Sequence, residues 1–304
     1  MDTILTSRST GLQGSSKTVS DRIDAHHHLW RYDKEQYRWI GDNMGALARN
    51  FLPKDLEREL ASSGIDGSVA VQARQSIEET EWLLALADEC DAIRGVVGWA
   101  PIASLEFPRE LESLRSSEKL KGLRHVVQDE PDDRFLQGPD FNRGIARLKH
   151  LGLVYDILIF AQQLPATIAF VDRHPEQVFV LDHIAKPRIR DGALEPWRTN
   201  IRELARRENV YCKLSGMVTE ANWTNWCSAD LKPYFDVVLD AFGPGRLMAG
   251  SDWPVCTLAA THREWFSTLA ELIGQLSHAE REMILGGVAV EVYSLKREAQ
   301  SRRL

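Results

Sequence analysis

The sequence predicts a single (β/α)8 barrel over residues 22–295, and three observations carry that fold class. Eight short runs rich in apolar and β-branched residues recur along the chain, and the stretches between them place apolar residues at three- to four-residue spacing. No Gly-rich GxGxxG follows the first run. Apolar runs alternating with helices are the pattern of a parallel sheet buried on both faces, and eight such units match the size of a closed barrel. An open doubly wound sheet is the alternative, disfavoured because its usual glycine fingerprint is missing.

The predicted strands, in order, are "RIDAHHH" (22–28), "GSVAVQA" (67–73), "RGVVGWA" (94–100), "KGLRHVV" (121–127), "LVYDILIF" (153–160), "VFVLDHI" (178–184), "VYCKLSG" (210–216) and "RLMAGSD" (246–252). Between them, "PKDLERELASSG", "SIEETEWLLALADEC", "PDFNRGIARLKHLG", "LPATIAFVDRHP", "EPWRTNIRELARREN" and "DLKPYFDVVLDAFG" read as amphipathic helices. Several open on Pro, Ser or Asp and close near Gly or Asn, the residues that start and stop helices. With no Pro/Gly/Ser-rich linker inside 22–295, these units form one domain. Residues 1–21, rich in Ser, Thr and Gly, read as a mobile leader, and 296–304 as a tail. The tryptophan-rich "EANWTNWCSADL" (220–231) is either a lid after the seventh strand or a packing patch between helices.

The chain has 304 residues, 43% of them hydrophobic and 27% charged, enough to build a full core. A net charge of -7 offers no basic field for nucleic acid or an anionic membrane, which leaves small-molecule chemistry as the expected role. No apolar run approaches the roughly 18–20 residues of a membrane span, and the first twenty residues lack the apolar core of a signal peptide. Cys90, Cys212, Cys227 and Cys256 are scattered without a CxxC pair, so a reducing cytoplasm is the expected location. Homo-oligomerisation is left open.

In a parallel barrel the C-terminal strand ends converge on one face, where catalytic groups distant in sequence meet. The predicted ends carry His26 and His28, Gln72 and Arg74, Arg124 and His125, Asp156, Asp182 and His183, Lys213 and Ser215, and Ser251 and Asp252. Side chains alternate along a strand, so His26 and His28 share one face and His27 takes the other. A lone histidine at a strand end is usually structural, and an Asp after Gly-Ser is often a turn residue. Convergence changes that balance, because many charges at one barrel mouth must pair, bind metal or bind substrate. Asp156 reads equally as an ion-pair partner of Arg124 or Lys213 and as a substrate contact.

The HxH of His26 and His28, His183 in "VLDHIAKP" and Asp252 in "GSDWP" resemble the amidohydrolase superfamily. Within it the phrases "IDAHHHLWRYD", "VQARQS", "GLRHVVQDEPD", "LDHIAKP", "CKLSG" and "GSDWPV" resemble the sugar-lactone hydrolases, over residues 22–295. The resemblance implies an amidohydrolase-type barrel and an enzyme that opens L-fuconolactone, or an analogue such as L-rhamnonolactone. Two features depart from the superfamily. Its binuclear members use a carboxylated lysine on strand four and a histidine on strand five, where this chain has Arg124, His125 and Asp156, so a bridged two-metal centre is not expected. The usual G-x-N-A motif is replaced by "GGVAVEVY", with Val288 at that place, and this is expected to alter only local packing.

Under this resemblance His26, His28, His183 and Asp252 suit a single zinc. Arg74, Arg124 and Lys213 at the same mouth would oppose a divalent cation, and a lactone is an activated ester, so the expectation is that no cofactor is required. Asp252 would deprotonate the attacking water, with His26, His28 or His183 and Arg124 or Lys213 stabilising the oxyanion. His125 or a histidinium would protonate the leaving oxygen, while Trp30, Gln72, Arg74 and Asp156 would contact the sugar. The alternatives are a zinc-dependent hydrolase or decarboxylase on the same barrel, and a sugar-acid binding protein without catalysis.

Overall fold

The computed structural model describes residues 21–296; nearly all of the expected leader and tail lies outside them. The strands are β1 (Ile23–His27), β2 (Gly67–Val71), β3 (Ile93–Gly98), β4 (Leu120–Val126), β5 (Val154–Leu158), β6 (Phe179–Leu181), β7 (Val210–Leu214) and β8 (Leu247–Ala249). Each pairs in parallel with the next, in sequence order, as a (β/α)8 barrel requires. The last gap is closed beyond the strand ends, where Asp252 N donates to His26 O (2.7 Å) and His28 N to Trp253 O (2.6 Å). The barrel seam therefore lies on three residues expected to be functional, His26, His28 and Asp252.

Each strand is followed by a helix: α1 (Pro53–Ser63), α2 (Ile77–Glu89), α3 (Phe107–Leu114), α4 (Pro139–Leu148), α5 (Leu164–Val171), α6 (Trp197–Leu204), α7 (Ser228–Phe242) and α8 (His262–Leu272). Their ends follow local chemistry. Pro53 starts α1, and Gly64, at φ 66°, ends it in a left-handed cap. Ser76 caps α2 by accepting from Glu79 N at 3.2 Å. Thr261 and Glu264 cap α8 reciprocally.

Apolar side chains fill two zones. Leu, Ile and Phe residues occupy the space between strands and helices, while Ile23, Ala25, Val69, Val71, Val97, Val154, Val180 and Met248 pack inside the barrel. Val288, Ala289 and Tyr293 plug this inner cluster from the C-terminal segment. Val288, at the departure from the G-x-N-A motif, is thus a packing residue distant from the mouth. Above the apolar layer the lumen turns polar, and that boundary positions the site.

Candidate active site

The β1–β2 register shifts between Asp24 and His27, so strict alternation breaks inside "IDAHHH". Ile23 and Ala25 pack in the inner apolar cluster, and His26 also reaches the lumen, where its ring meets side chains from β4, β7 and the end of β6. His26 and His28 face each other, Nε2 to Nε2, at 3.3 Å. His27 is buried elsewhere and neither of its ring nitrogens has a hydrogen-bond partner.

His26 is the hub. Its Nδ1 lies 3.3 Å from Asp182 Oδ1 and 3.2 Å from Lys213 Nζ, and its Nε2 lies 3.3 Å from Arg124 Nη1. Arg124 pairs with Asp182 at 2.9 Å, and Lys213 with Asp182 at 3.0 Å and Asp156 at 2.5 Å. The Tyr293 hydroxyl is 2.9 Å from both Asp156 oxygens, which ties the polar layer to the plug below. All these ionic groups are buried, and two cations face two carboxylates, so their charges compensate.

Asp252 and His183 arrive by unusual backbone. His183, Ile184, Ala185 and Lys186 form a left-handed turn (φ 53°, 48°, 61° and 47°), and Asp252 has φ 59°. For residues with a Cβ this conformation costs roughly 1–2 kcal/mol each, so surrounding contacts must impose it. Lys186 N donates to His183 O (2.8 Å), and Trp197 Nε1 to Ile184 O (2.7 Å). Gly216 passes so close to His183 that an added Cβ would stand 2.6 Å from its Nδ1. Ser215 Oγ meets the same nitrogen at 2.9 Å.

Burial depresses the basicity of the central imidazoles. It is the main reason His26 titrates well below the ordinary histidine range, with the Lys213 charge adding to it, and it pushes His183 down to about 4. For Asp252, burial works to raise the carboxyl, but His183 and the His28 hydrogen bond overcome it, and the net shift is downward. Asp182 shows the same opposition on a larger scale: Lys213, His26 and Arg124 hold it well below the carboxylate range. Asp156 is raised, by burial first and by the Asp182 charge, with Lys213 opposing. At neutral pH the mouth therefore presents one ionised Asp252 against neutral His26 and His183.

A cavity of about 360 Å³ opens above this layer, and His28, Arg124, His183, Lys186 and Asp252 line its floor. Arg74, Gln36, Arg38, Trp39, Gln75 and Gln128 stand around it. Of the residues expected from sequence, Asp252, His28, His183, Arg124 and Arg74 border this space, whereas His26 and Lys213 lie directly beneath. Gln72 is buried beside Arg124, whose carbonyl it meets at 3.4 Å. Asp156 is the ion-pair partner of Lys213, away from the cavity wall. His125 turns outward: its Nε2 meets Glu130 at 2.6 Å and its ring stacks on Phe135. Trp30 is buried behind His28, donating to Arg49 O at 2.8 Å. Of the tryptophan-rich segment, Trp226 donates to Ala259 O and neither tryptophan lines the cavity, as a packing patch would require.

Sequence reasoning placed Asp182 at a strand end without giving it a role, and gave none to Lys186 or, Trp30 apart, to the β1 loop. Asp182 and His183 are adjacent, and alternation implies that only one faces the lumen; the left-handed turn brings in both. Lys186 reaches the cavity by the same turn. Gln36, Arg38 and Trp39 come from the long segment between β1 and α1, whose length alone was a signal. The structure also revises the weighing of cations against a metal, because Arg124, Lys213 and Arg74 each have a carboxylate partner (Asp182, Asp156 and Glu79, the last at 3.5 Å).

The donor set suits a metal. His26, His183 and Asp252 each offer a ligand atom within 4.8 Å of the others. His28 Nδ1 faces the Val71 carbonyl at 2.8 Å, which assigns the ring proton to that side. Its Nε2, which donates to Asp252 Oδ1 only when the ring carries a second proton, otherwise turns a lone pair toward Asp252 Oδ1 and His26 Nε2, each 3.3 Å away. Imidazole lone pairs converging on a carboxylate are the chemistry of a zinc site.

Comparison with known proteins agrees with this geometry. Residues 23–295 match the family model described as amidohydrolase. The chain is 44% identical, over 92% of its length and 98% of the relative's, to a Burkholderia multivorans protein named L-fucono-1,5-lactonase. A Burkholderia ambifaria protein of the same name is 36% identical, over 91% of this chain and 96% of its own. A crystal structure of a Burkholderia multivorans amidohydrolase with bound zinc superposes with a TM-score of 0.89 at 44% identity, covering 91% of this chain and all of the other. This chain belongs to the amidohydrolase family.

Proposed function

We propose that the protein is a lactonase that hydrolyses a sugar lactone, L-fucono-1,5-lactone or a close analogue, to the aldonic acid. The observation that carries this reading is Asp252: a carboxylate on the cavity floor, beside His28 and His183, with Arg124 lining the same cavity. Asp252 takes a proton from water, and the resulting hydroxide adds to the lactone carbonyl carbon. Arg124 with His28 or His183 stabilises the oxyanion, the bond from the carbonyl carbon to the ring oxygen breaks, and the departing alkoxide takes the proton back from Asp252, which leaves a hydroxy acid and an ionised Asp252. Arg74, Gln36, Arg38 and Gln128 supply hydrogen bonds to sugar hydroxyls, and Trp39 an apolar wall. Two identical names among relatives at 44% and 36% identity support the substrate class.

In this reading water attack needs no cofactor. A zinc-dependent reaction is the second reading, favoured by the lone pairs that converge at Asp252. His26, His28, His183 and Asp252 would hold the ion, which would supply Lewis acidity and a more acidic water. The four cysteines are free and fit a cytoplasmic location, and no helix among the described residues is long and apolar enough to cross a membrane. The test is acid release from a panel of aldonolactones, with metal content assayed on the same sample before and after chelation. A folded protein that releases acid from no lactone overturns the lactonase; activity that tracks zinc content selects the second reading.

A further inference from the structure

Asp252 is held in a left-handed backbone conformation, and the groups that hold it lead away from the cavity to the outside of the barrel. The flanking Ser251 is bound twice by Asp24 of β1: its N donates to Asp24 Oδ1 at 2.8 Å and its hydroxyl to Oδ2 at 2.6 Å. The Ser251 oxygen in turn accepts from Trp253 N at 2.9 Å. Asp24 Oδ1 also accepts from His26 N at 3.2 Å, so one carboxylate grips both sides of the barrel seam. Asp24 is itself held by His262, whose Nε2 lies 3.1 Å from Oδ2 and whose Nδ1 lies 2.7 Å from Ser63 Oγ. Ser63 is the last residue of α1, and His262 the first of α8. Asp24, Ser251 and His262 are fully buried.

We infer that the chain Ser63–His262–Asp24–Ser251 is a positioning device that sets the Asp252 carboxylate against the histidines. The physical reason is that a strained turn keeps its shape only where its neighbours over-determine it. Ser251 N, Ser251 Oγ and Trp253 N are the donors that would otherwise relax, and all three are fixed through Asp24 or the hydroxyl it binds. None of the four residues borders the cavity. His262 acts through Asp24 and touches no substrate, so its loss should lower turnover without weakening substrate binding. This inference rests on the lactonase reading only for its kinetic readout, because the position of Asp252 can be observed directly.

The experiment compares the full-length wild type with His262→Leu, which removes the donor, and His262→Gln, whose side-chain amide can still donate to Asp24. With L-fucono-1,5-lactone, His262→Leu should lose about 100-fold in kcat with KM within about twofold, and His262→Gln should recover most of that loss. In crystal structures of both variants, Asp252 should leave its left-handed conformation and the reach of His28 in His262→Leu and keep both in His262→Gln. If His262→Leu does not fold, Ser63→Ala, at the far end of the chain, should lower kcat severalfold at unchanged KM. Unchanged kcat and an undisplaced Asp252 in His262→Leu, equal losses in both His262 variants, or an unaffected Ser63→Ala each overturn the inference. A wild type without turnover on this lactone counts against the proposed substrate alone, and the crystal structures then decide the positioning role.

Discussion

At the residue scale, two buried side chains show how burial is put to different uses. Asp252 stays ionised because His183 and His28 offset the cost of its burial, so replacing it with Asn should remove the base while retaining its shape. Asp252→Asn is expected to lower kcat by about 10³-fold or more with an unchanged melting temperature; ordinary rates in this variant would eliminate Asp252 as the base. For His27 the compensation falls short, because burial outweighs the nearby Asp24 charge. Burial pushes it down to about 4, and neither nitrogen has a partner. The unfolded chain takes up this proton near pH 6.5 and the folded chain only near 4, so His27 lowers stability progressively as pH falls through that window. By pH 5 the wild type should have lost about 2 kcal/mol through this residue, a loss that His27→Phe escapes. Urea unfolding of both proteins at pH 7.5 and pH 5 measures the difference in slope.

At the element scale, the strands are shorter than their apolar runs imply, and the function lies in the difference. The run 178–184 yields a strand of only Phe179–Leu181, and 246–252 only Leu247–Ala249. Beyond these ends the chain leaves the pleat, and positive φ swings His183, Lys186 and Asp252 into the mouth. Side-chain alternation describes regular strand and says nothing past its last hydrogen bond. Gly216 permits one of these turns, having both φ 65° and no space for a Cβ beside His183. Gly216→Ala should cost about 1–3 kcal/mol in stability. It should also displace the His183 ring and reduce kcat, which a melting curve and a rate measured on one preparation will show together.

At the scale of the whole molecule, the buried ionic layer joins β1, β4, β5 and β7 with the β6 end through His26, Arg124, Asp156, Lys213 and Asp182. Such layers need not add stability over an apolar core, but they tolerate no loose end. Lys213→Met leaves Asp156 without its cation and should cost about 3–5 kcal/mol, whereas adding Asp156→Leu should restore most of that loss, since Asp182 still has Arg124. Denaturant unfolding of the single and double variants measures this; a double variant no more stable than the single would show that the layer contributes more than local charge balance. The same layer supports the cavity floor, so the double variant should keep its fold and still lose activity.

The barrel was legible in the order of the letters, because the periods of strand and helix are local properties and eight strands alternating with helices leave few architectures. The facing pair His26 and His28 was legible too, since alternation needs only neighbours. Asp252 and His183 could be named, but their approach to one another depends on left-handed turns that distant groups impose: Trp197 on Ile184, Gly216 beside His183, Asp24 on Ser251. The fates of Trp30, His125 and Asp156 were equally beyond local reading. Trp30 and His125 stand near or just past a strand end and Asp156 in the middle of β5, and whether each meets the cavity, a neighbour's carbonyl or a buried cation is settled by packing across tens or hundreds of residues. Periodicity specifies which way a strand residue points; only the closed barrel specifies what waits there.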